Sequence, residues 1–356
     1  MGERSLTTEA AARGPQQSSG QTSKSVSVIV PAHNAAKTLV PVLEAVYAQT
    51  FPVLEVIVVD DGSEDDTATL LRERFPQVKY VRQDQQGVSA ARNRGAAEAC
   101  GQYLAFLDAD DVWHPDKLAR QVPVFEQEPD LDLLLTRGVR VYPTGRRSEP
   151  CGKGLPELLP LNLDIWLSRR RCDRLAVQGC VSSWVMPREA FIASGGFDAA
   201  WTTSNDHEYI LRLLGLGRRV AVVTAPLFDY YMSAGSLSHR PDCGRYLAAS
   251  RRVIRAWATV PLPPDAGLTE RERRSRIVSE VQARVKILLG RGYPGACLEL
   301  LAEGRQFAET PGQRLSLALE TAALRLAVLF GADNSSALRR LHSVLRWLRW
   351  NLSRRR

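Results

Sequence analysis

Short apolar runs alternate with amphipathic helical stretches along the first hundred or so residues of the chain. Apolar runs that stop at turn-forming or acidic residues predict buried strands at 26–30, 54–59, 78–81 and 103–107. Between them, helices are predicted at 37–49, from 65 or 66 to 75, and from 87 to 100. This order predicts an α/β fold, with a mainly parallel sheet and helices on both faces.

Carboxylates follow two of the predicted strands. Asp60 and Asp61 come directly after the run at 54–59, and Asp108, Asp110 and Asp111 come directly after 103–107. Because α/β sheets bind ligands beyond the carboxyl ends of their strands, a single crevice is expected to collect these acids.

The remainder of the chain changes in character. A helix is predicted at 116–128, and the Gly- and Pro-rich stretch 143–160 is predicted to be loop. Later helices, separated by Pro- or Gly-containing turns, are predicted at 245–260, 269–291, 293–303, 311–330 and 337–352. We therefore expect a flexible arm (1–24), an α/β catalytic domain (25–242), an all-α domain (243–336) and a basic tail helix (337–356).

Composition separates the tail from everything before it. The 356 residues carry a net charge of +8, and the last twenty hold seven arginines and no acid, which leaves +1 for the rest. The basicity therefore gives no reason to expect a nucleic-acid partner. Leucines three and four residues apart on one face of the tail suit an anionic membrane surface, while packing on the catalytic domain explains them equally well.

Features that direct a chain out of the cytoplasm are not recognised in the sequence. It contains no apolar run of membrane-spanning length and no apolar signal segment, which predicts a cytoplasmic protein. Through its tail, such a protein could also associate with the inner face of the cell membrane. The six cysteines form no CxxC pair and are expected to be reduced thiols.

Asp108 and Asp110 form an Asp-Ala-Asp motif after a strand. In an extended segment the two carboxylates would lie on the same side, able to hold Mg²⁺ or Mn²⁺ together with waters and substrate phosphates. Such a cation could neutralise a diphosphate leaving group. The alternative is a solvated acidic turn that caps the next helix.

Four stretches, taken in order, resemble the family 2 glycosyltransferases. They are 26–34 (VSVIVPAHN), 58–63 (VVDDGS), 87–95 (GVSAARNRG) running into 107–111 (LDADD), and 195–198 (GGFD) with 204–208 (SNDHE). The resemblance implies a GT-A type, Rossmann-like nucleotide-sugar-binding fold spanning about 26–240. It also implies inverting transfer of one sugar from a nucleotide-diphospho-sugar donor to an acceptor hydroxyl.

By this resemblance Pro31, His33 and Asn34 border the nucleotide base, and Asp61 hydrogen-bonds the base ring with Asp60 beside it. A carboxylate can accept from the imide N–H of uracil, which favours a uridine donor, although thymine offers the same N–H. The family more often has Tyr at the position of His33, and a simple turn residue is the alternative for His33.

The resemblance also assigns the diphosphate end of the donor. Arg92 is similar to a family arginine near the nucleotide; its alternative is a pair with Glu98 or with an acid of the Asp-Ala-Asp motif. Asp108 is expected to contact both the ribose and the metal, and Asp110 to be the principal metal ligand, with Asp111 as a third carboxylate.

The family's catalytic base is the aspartate of a Glu-Asp pair at the start of a helix, and Asn205 and Asp206 stand at these positions. Asp206 is therefore the expected base, with helix capping as its alternative. The absence of the first acid should lower the pKa of Asp206 unless burial opposes it.

Another departure lies at 230–238, where Tyr231 and Ser233 replace the Arg and His that many relatives place near the diphosphate. Ser236, Ser238, His239 or Arg240 could take over part of this contact. The implied acceptor is a carbohydrate or a lipid-linked glycan in cell-surface polysaccharide, glycolipid or other glycoconjugate synthesis. The rival interpretation is a nucleotide-sugar-binding protein with weakened catalysis; a nucleotidyltransferase is disfavoured because 31–34 is not a Gly-rich loop.

Overall fold

The computed structural model describes residues 24–148, 154–168, 179–232 and 242–329. Within them nine strands form one sheet. The strands are β1 (Val26–Ala32), β2 (Glu55–Asp61), β3 (Lys79–Gln83), β4 (Tyr103–Phe106), β5 (Val112–Trp113), β6 (Leu131–Val141), β7 (Leu158–Leu161), β8 (Val185–Pro187) and β9 (Arg219–Tyr231). The predicted flexible arm up to residue 23 and the tail helix lie outside the described residues.

The sheet has a parallel half and a mixed half. Its strand order is β3-β2-β1-β4-β8-β6-β9-β5, with β7 also paired to β9. Strands β3, β2, β1 and β4 are parallel, β8 is antiparallel to both β4 and β6, and β6 is parallel to β9. The predicted α/β fold is confirmed, and the acids at the end of β2 and after β4 belong to the parallel half.

Helices cover both faces of the sheet because residues along each strand point alternately to opposite sides. Val28 and Val30 of β1 belong to one buried apolar cluster, and Ile29 belongs to the other. Both faces of β1 are fully covered, which is why its sequence is a continuous apolar run.

Twelve α-helices lie within the described residues. Those of the α/β part are α1 (Leu39–Tyr47), α2 (Thr67–Arg74), α3 (Val88–Glu98), α4 (Lys117–Gln121), α5 (Val124–Gln127), α6 (Leu163–Trp166), α7 (Arg188–Ala193) and α8 (Asn205–Gly215). The prediction of one helix at 116–128 was wrong. The segment forms α4 and α5, separated at Pro123, which has no N–H to continue the ladder of α4.

The two longest strands were not predicted. Strands β6 and β9 run side by side for most of their length, with register shifts near Arg137. The stretch predicted to be loop at 143–160 also contains the start of β7, which pairs with β9 from Leu158. Mixed polar and apolar residues along these strands conceal them from an analysis of periodicity.

The all-α region after the sheet is confirmed. It consists of α9 (Cys243–Thr259), α10 (Glu270–Gly290), α11 (Pro294–Gly304) and α12 (Pro311–Leu329). One apolar cluster runs from Ile29 in the sheet through Tyr209 of α8 to Trp257 of α9 and Leu288 of α10. The helical region is thus packed directly behind α8, while the domain boundary at 242 stays a prediction. None of the described helices is long and apolar enough to cross a membrane.

Candidate active site

The loops that follow β1 and β2 are joined through Asn34. This residue adopts a left-handed backbone with φ of 53°, which asparagine tolerates better than most side chains. Its backbone N–H donates to Ser63 Oγ at 2.9 Å, and its side-chain oxygen accepts from the backbone N–H of Glu64 at 2.8 Å. These hydrogen bonds therefore hold the loops after β1 and β2 in a fixed relative position.

His33 has a defined tautomer at this edge. Its Nδ1 lies 2.9 Å from the backbone carbonyl of Asp61, which can only accept, so Nδ1 carries the proton. Nε2 then accepts from Gln85 Nε2 at 3.1 Å. Pro31 is buried within β1, in register with Val59 of β2.

Asp61 anchors the loop that leads into α3. Its Oδ1 accepts from Gln83 Nε2 at 2.7 Å and from the Gln86 N–H at 2.8 Å, and its Oδ2 accepts from the Gly87 N–H at 2.8 Å. A carboxylate offers about four lone-pair sites, so one site on Oδ2 remains for a ligand donor. Gly87 has φ of 93°, a conformation that favours glycine where the chain turns into α3.

Asp60 is committed to internal contacts on the side of β3. Its carboxylate accepts from the Ser63 N–H at 2.7 Å, from Tyr80 OH at 2.6 Å and from Arg82 Nη1 at 2.9 Å. Burial alone would raise the pKa of Asp60, but these hydrogen bonds and the charge of Arg82 hold it below its ordinary value. The structure gives Asp60 a supporting role beside Asp61; direct contact with a nucleotide stays a prediction.

Arg92 of α3 reaches across to the end of β4. Its Nη2 donates to Asp108 Oδ1 at 2.5 Å, and its side chain is only 4% exposed. The guanidinium lies over the ring of Phe197, 5.3 Å from the ring centre. Nε and Nη1 have no partner among the described residues. Glu98, the other acid considered for Arg92, pairs instead with Arg94.

The acids after β4 lie in a turn rather than in an extended segment. The strand ends at Phe106, and the Asp111 N–H donates to the Asp108 carbonyl at 3.2 Å. The expectation of an extended Asp-Ala-Asp segment was therefore wrong, because the turn brings residues three apart to the same side. Asp108, Asp111 and Cys180 have potential metal-ligating atoms within 4.8 Å of one another.

Asp110 is not a member of that trio. Burial, and then the neighbouring Asp108, raise the pKa of Asp110 to about 6. Whether Asp110 ligates a metal stays a prediction.

Asp111 is fully buried and is already well supported. Its Oδ2 accepts from Ser182 Oγ at 2.6 Å and from Cys180 Sγ at 3.5 Å, while Oδ1 accepts from the Tyr231 N–H at 3.1 Å. Burial, followed by repulsion from Asp108 and Asp110, raises the pKa of Asp111 well above its ordinary value. Sequence reasoning missed Cys180 and Ser182, since no motif links them to acids some seventy residues earlier.

Asp206 lies in the first turn of α8, partly buried. Its Oδ1 accepts from the His207 N–H at 2.8 Å, and Oδ2 accepts no hydrogen bond within the described part of the chain. Burial raises the pKa of Asp206, while the charge of Arg92 lowers it and that of Asp108 raises it, so the three groups interact electrostatically. Burial thus opposes the effect expected from Asn205, whose side chain donates to Ser89 Oγ at 2.9 Å.

Comparison with known protein families identifies the domain that contains most of these residues. Residues 27–183 match the model of glycosyl transferase family 2. The chain carries a family 2 glycosyltransferase domain. The match spans β1 to the turn at Ser182, and therefore includes His33, Asp61, Arg92 and the acids after β4.

The family 2 domain has curated relatives over parts of their lengths. An uncharacterized glycosyltransferase of Nostoc is 46% identical over 105 residues, 28% of this chain and 33% of the relative. The amylovoran biosynthesis glycosyltransferase AmsB of Erwinia amylovora is 28% identical over 222 residues, 58% of this chain and 70% of the relative. The chondroitin synthase of Escherichia coli is 30% identical over 195 residues, 54% of this chain and 27% of the relative. The chain thus spans a third of the Nostoc relative's length.

Solved structures support the fold of the family 2 domain together with the helices behind it. S. aureus TarS 1-349 in complex with UDP-GlcNAc superposes with a TM-score of 0.61 at 18% identity, covering 90% of this chain and 91% of TarS 1-349. The same protein in complex with UDP gives a TM-score of 0.61 at 19% identity. At this identity the likeness establishes the fold alone.

Proposed function

We propose that the chain is an inverting glycosyltransferase that moves a single sugar from a UDP-sugar to an acceptor hydroxyl. The observation that carries the proposal is that Arg92 and Asp108, which form an ion pair within a family 2 domain, both act electrostatically on the Asp206 carboxylate. A carboxylate, a partly unsatisfied arginine and a group of acids are the parts that sugar transfer from a diphosphate requires.

Asp61 supplies the base-reading end of the proposed site. Its remaining lone pair can accept the imide N–H of uracil, and the hydrogen bonds from Gln83, Gln86 and Gly87 fix the carboxylate in place before the donor arrives. Pro31, His33 and Asn34 form the adjoining edge. The UDP and UDP-GlcNAc complexes of TarS support a uridine donor; thymine would present the same N–H.

Arg92 supplies the diphosphate end. Two of its nitrogens, Nε and Nη1, are buried without a partner among the described residues, and the desolvation of their N–H groups is offset when phosphate oxygens accept from them. Phe197 beneath the guanidinium keeps its plane fixed.

Asp108 and Asp110, with Asp111 close by, are the proposed holders of Mg²⁺ or Mn²⁺. Carboxylate oxygens are the ligands that these hard cations prefer, so the donor set fits. Burial raises the pKa of the Cys180 thiol well above its ordinary value, so Cys180 donates to Asp111 rather than acting as a thiolate ligand. A cation bound here supplies Lewis-acid stabilisation of the departing diphosphate.

Asp206 performs the proton transfer. The acceptor oxygen forms a bond to the anomeric carbon as its proton passes to the Asp206 carboxylate, and the bond from that carbon to the diphosphate oxygen breaks with its electron pair. The attack comes from the face opposite the leaving group, which inverts the anomeric centre. Burial raises the pKa of Asp206 and so makes it a stronger base than a solvated aspartate.

The acceptor proposal rests on the relatives alone. AmsB is named for amylovoran biosynthesis and the Escherichia coli relative is a chondroitin synthase. We place this chain in the synthesis of a cell-surface polysaccharide, glycolipid or related glycoconjugate, acting on a carbohydrate or lipid-linked acceptor at the inner face of the cell membrane. Association with anionic lipid through the tail helix belongs to the same proposal.

Donor binding is the first test, and thermal unfolding measures it without an acceptor. A ligand at one hundred times its dissociation constant stabilises the folded state by about 2.7 kcal/mol, so with Mn²⁺ a UDP-sugar should raise the Tm. Asp110→Ala should abolish the Mn²⁺-dependent part of the shift, Asp206→Asn should retain it, and Arg94→Ala on the exposed side of α3 is the matched control. Absence of a shift with every uridine and thymidine sugar would reject the proposal.

A second candidate is a nucleotide-sugar-binding protein with weakened catalysis, favoured by Asn205 in place of an acid. It predicts the same thermal shifts, but no release of nucleoside diphosphate by the wild-type protein with any acceptor.

A further inference from the structure

An aromatic cluster of Trp166, His207 and Trp257 lies next to the proposed base and includes residues from both parts of the chain. The ring of His207, in α8, stacks on Trp166 of α6 with centroids 4.8 Å apart and planes 27° apart. Its other neighbour is Trp257 of α9, 5.6 Å away at 22°. Trp166 and Trp257 are only 4% and 2% exposed. Trp257 comes from the helical region, so that region reaches the site directly.

A hydrogen bond from Trp257 fixes the tautomer of His207 in the aromatic cluster. Trp257 Nε1 lies 2.8 Å from His207 Nε2. An indole N–H can only donate, so Nε2 must hold a lone pair, and His207 is neutral with its proton on Nδ1. Since Trp257 is almost fully buried, loss of this contact would leave a buried donor unsatisfied.

The aromatic cluster adjoins Asp206 through the backbone of His207 and through Gly179. The His207 backbone N–H donates to Asp206 Oδ1 at 2.8 Å. On the other side, Gly179 is so close that an added Cβ would lie 3.0 Å from Trp166 and 3.4 Å from Asp206 Oδ2. A shift of the backbone at His207 would therefore alter the hydrogen bond to Asp206 Oδ1.

The start of α8 has little local support of its own. Its N-cap, Ser204, has φ of 59°, an unfavourable backbone for a residue with a Cβ, and its side chain makes no capping hydrogen bond. A helix start held in this way depends on contacts from outside; Asn205 makes one with Ser89, and the aromatic cluster supplies others one residue after Asp206.

We propose that Trp257 is a positioning residue for Asp206: it fixes neutral His207 against Trp166 and thereby orients the carboxylate for proton transfer. The helical region thus contributes to the chemical step and not only to stability. This inference rests on the proposed transferase function.

The test compares kcat with donor KM, using slow donor hydrolysis where no acceptor has been found. Trp257→Phe keeps an aromatic ring and removes the N–H; kcat should fall about tenfold while donor KM and the Mn²⁺-dependent donor shift in Tm stay unchanged. His207→Gln, whose amide oxygen can accept from Trp257, should keep more kcat than His207→Leu. The double variant Trp257→Phe/His207→Leu should be no slower than His207→Leu alone.

Val253→Ala is the matched control because Val253 is fully buried on the same helix, belongs to the same apolar cluster, and has no side-chain donor for His207. An unchanged kcat in Trp257→Phe, or an equal loss in Val253→Ala at matched stability, would overturn the inference. If Asp206→Asn is inactive and Trp257→Phe is normal, the positioning role of Trp257 is rejected and Asp206 stands as the base. If Asp206→Asn is fully active, Asp206 is rejected as the base. The ¹⁵N shifts of His207 give a test without turnover, since a proton found on Nε2 contradicts the inference.

Discussion

Arg92 donates from Nη2 to Asp108 Oδ1 at 2.5 Å, while its Nε and Nη1 have no hydrogen-bond partner among the described residues. A buried donor without a partner lowers stability, and this one lies beside the acids of the proposed donor site. Arg92 therefore fits both alternatives considered for it: it pairs with Asp108, and its Nε and Nη1 stay available to a ligand.

Replacement of Arg92 should weaken donor binding far more than folding. Arg92→Lys keeps the charge but loses the planar fork, and a charge-assisted hydrogen bond contributes about 1.5–3 kcal/mol, so UDP affinity should fall roughly tenfold to a hundredfold. Isothermal titration of UDP with Mn²⁺ measures this, with Arg94→Lys on the same helix as the control. Equal UDP affinities of Arg92→Lys and wild type would count against the diphosphate contact.

The pH dependence of turnover should report Asp206. Burial raises its pKa above the ordinary value of 3.8, and a base must be unprotonated, so kcat should fall as pH drops through this raised pKa. Asn205→Asp adds a like charge beside it and should move the acid limb of the kcat profile to still higher pH, by about one unit. A limb that does not move in Asn205→Asp argues against Asp206 as the titrating group.

Lys117 is expected to lower the free energy of unfolding because its amino group is buried in the core. Its side chain is fully buried over the ring of Trp113, and its Nζ has no hydrogen-bond partner among the described residues. Lys117→Met, similar in shape and apolar, should raise the free energy of unfolding by about 1–3 kcal/mol, as measured by urea denaturation near pH 7.

The advantage of Lys117→Met should depend on pH in a defined direction. Burial lowers the pKa of Lys117 well below its ordinary value, so the unfolded chain binds the extra proton and wild-type stability rises with pH up to the unfolded pKa. The difference between the two proteins should therefore shrink as pH increases from about 7 towards 10. A difference that is constant across this range would show that Lys117 is charged in the folded protein.

The contribution of Asp60 to stability should also increase with pH, but in the acid range. Its lowered pKa means that its stabilising contribution is present above the unfolded pKa, near 3.9, and is lost as pH falls through the folded value. Asp60→Asn should lower the free energy of unfolding at pH 7 by about 1–3 kcal/mol because the contacts with Tyr80 and Ser63 are weakened. Exposed Asp84→Asn is the control; equal effects of the two would contradict the internal role of Asp60.

Local pattern was sufficient for the parallel half of the sheet. Strands β1, β2 and β4 contain continuous apolar runs that end at polar or acidic residues, so the placement of Asp61 and Asp108 at one edge follows from α/β topology. The same reasoning did not predict the turn at Asp110, since an isolated Asp-Ala-Asp motif does not show whether the chain continues as a strand or turns. The turn observed at 108–111 brings Asp111 to Asp108 instead.

The other features of the site depend on contacts between residues far apart in the sequence, which local patterns do not reveal. Cys180 and Ser182 reach Asp111 from about seventy positions away, and Trp257 reaches His207 from fifty positions away in a different part of the chain. Neither pair has a spacing that a helix or strand period could reveal. The roles of Asp206, Asp110 and the nucleotide-facing residues stay predictions, which the structure makes specific enough to test.

The most direct test of the central claim is nucleoside diphosphate release from a UDP-sugar, compared between wild type and Asp206→Asn in the presence of Mn²⁺. We expect wild type to release UDP with formation of an inverted glycoside, and Asp206→Asn to bind the donor normally but turn over about 10²–10⁴-fold more slowly. Equal turnover by the two proteins, or release of pyrophosphate in place of UDP, would contradict the claim.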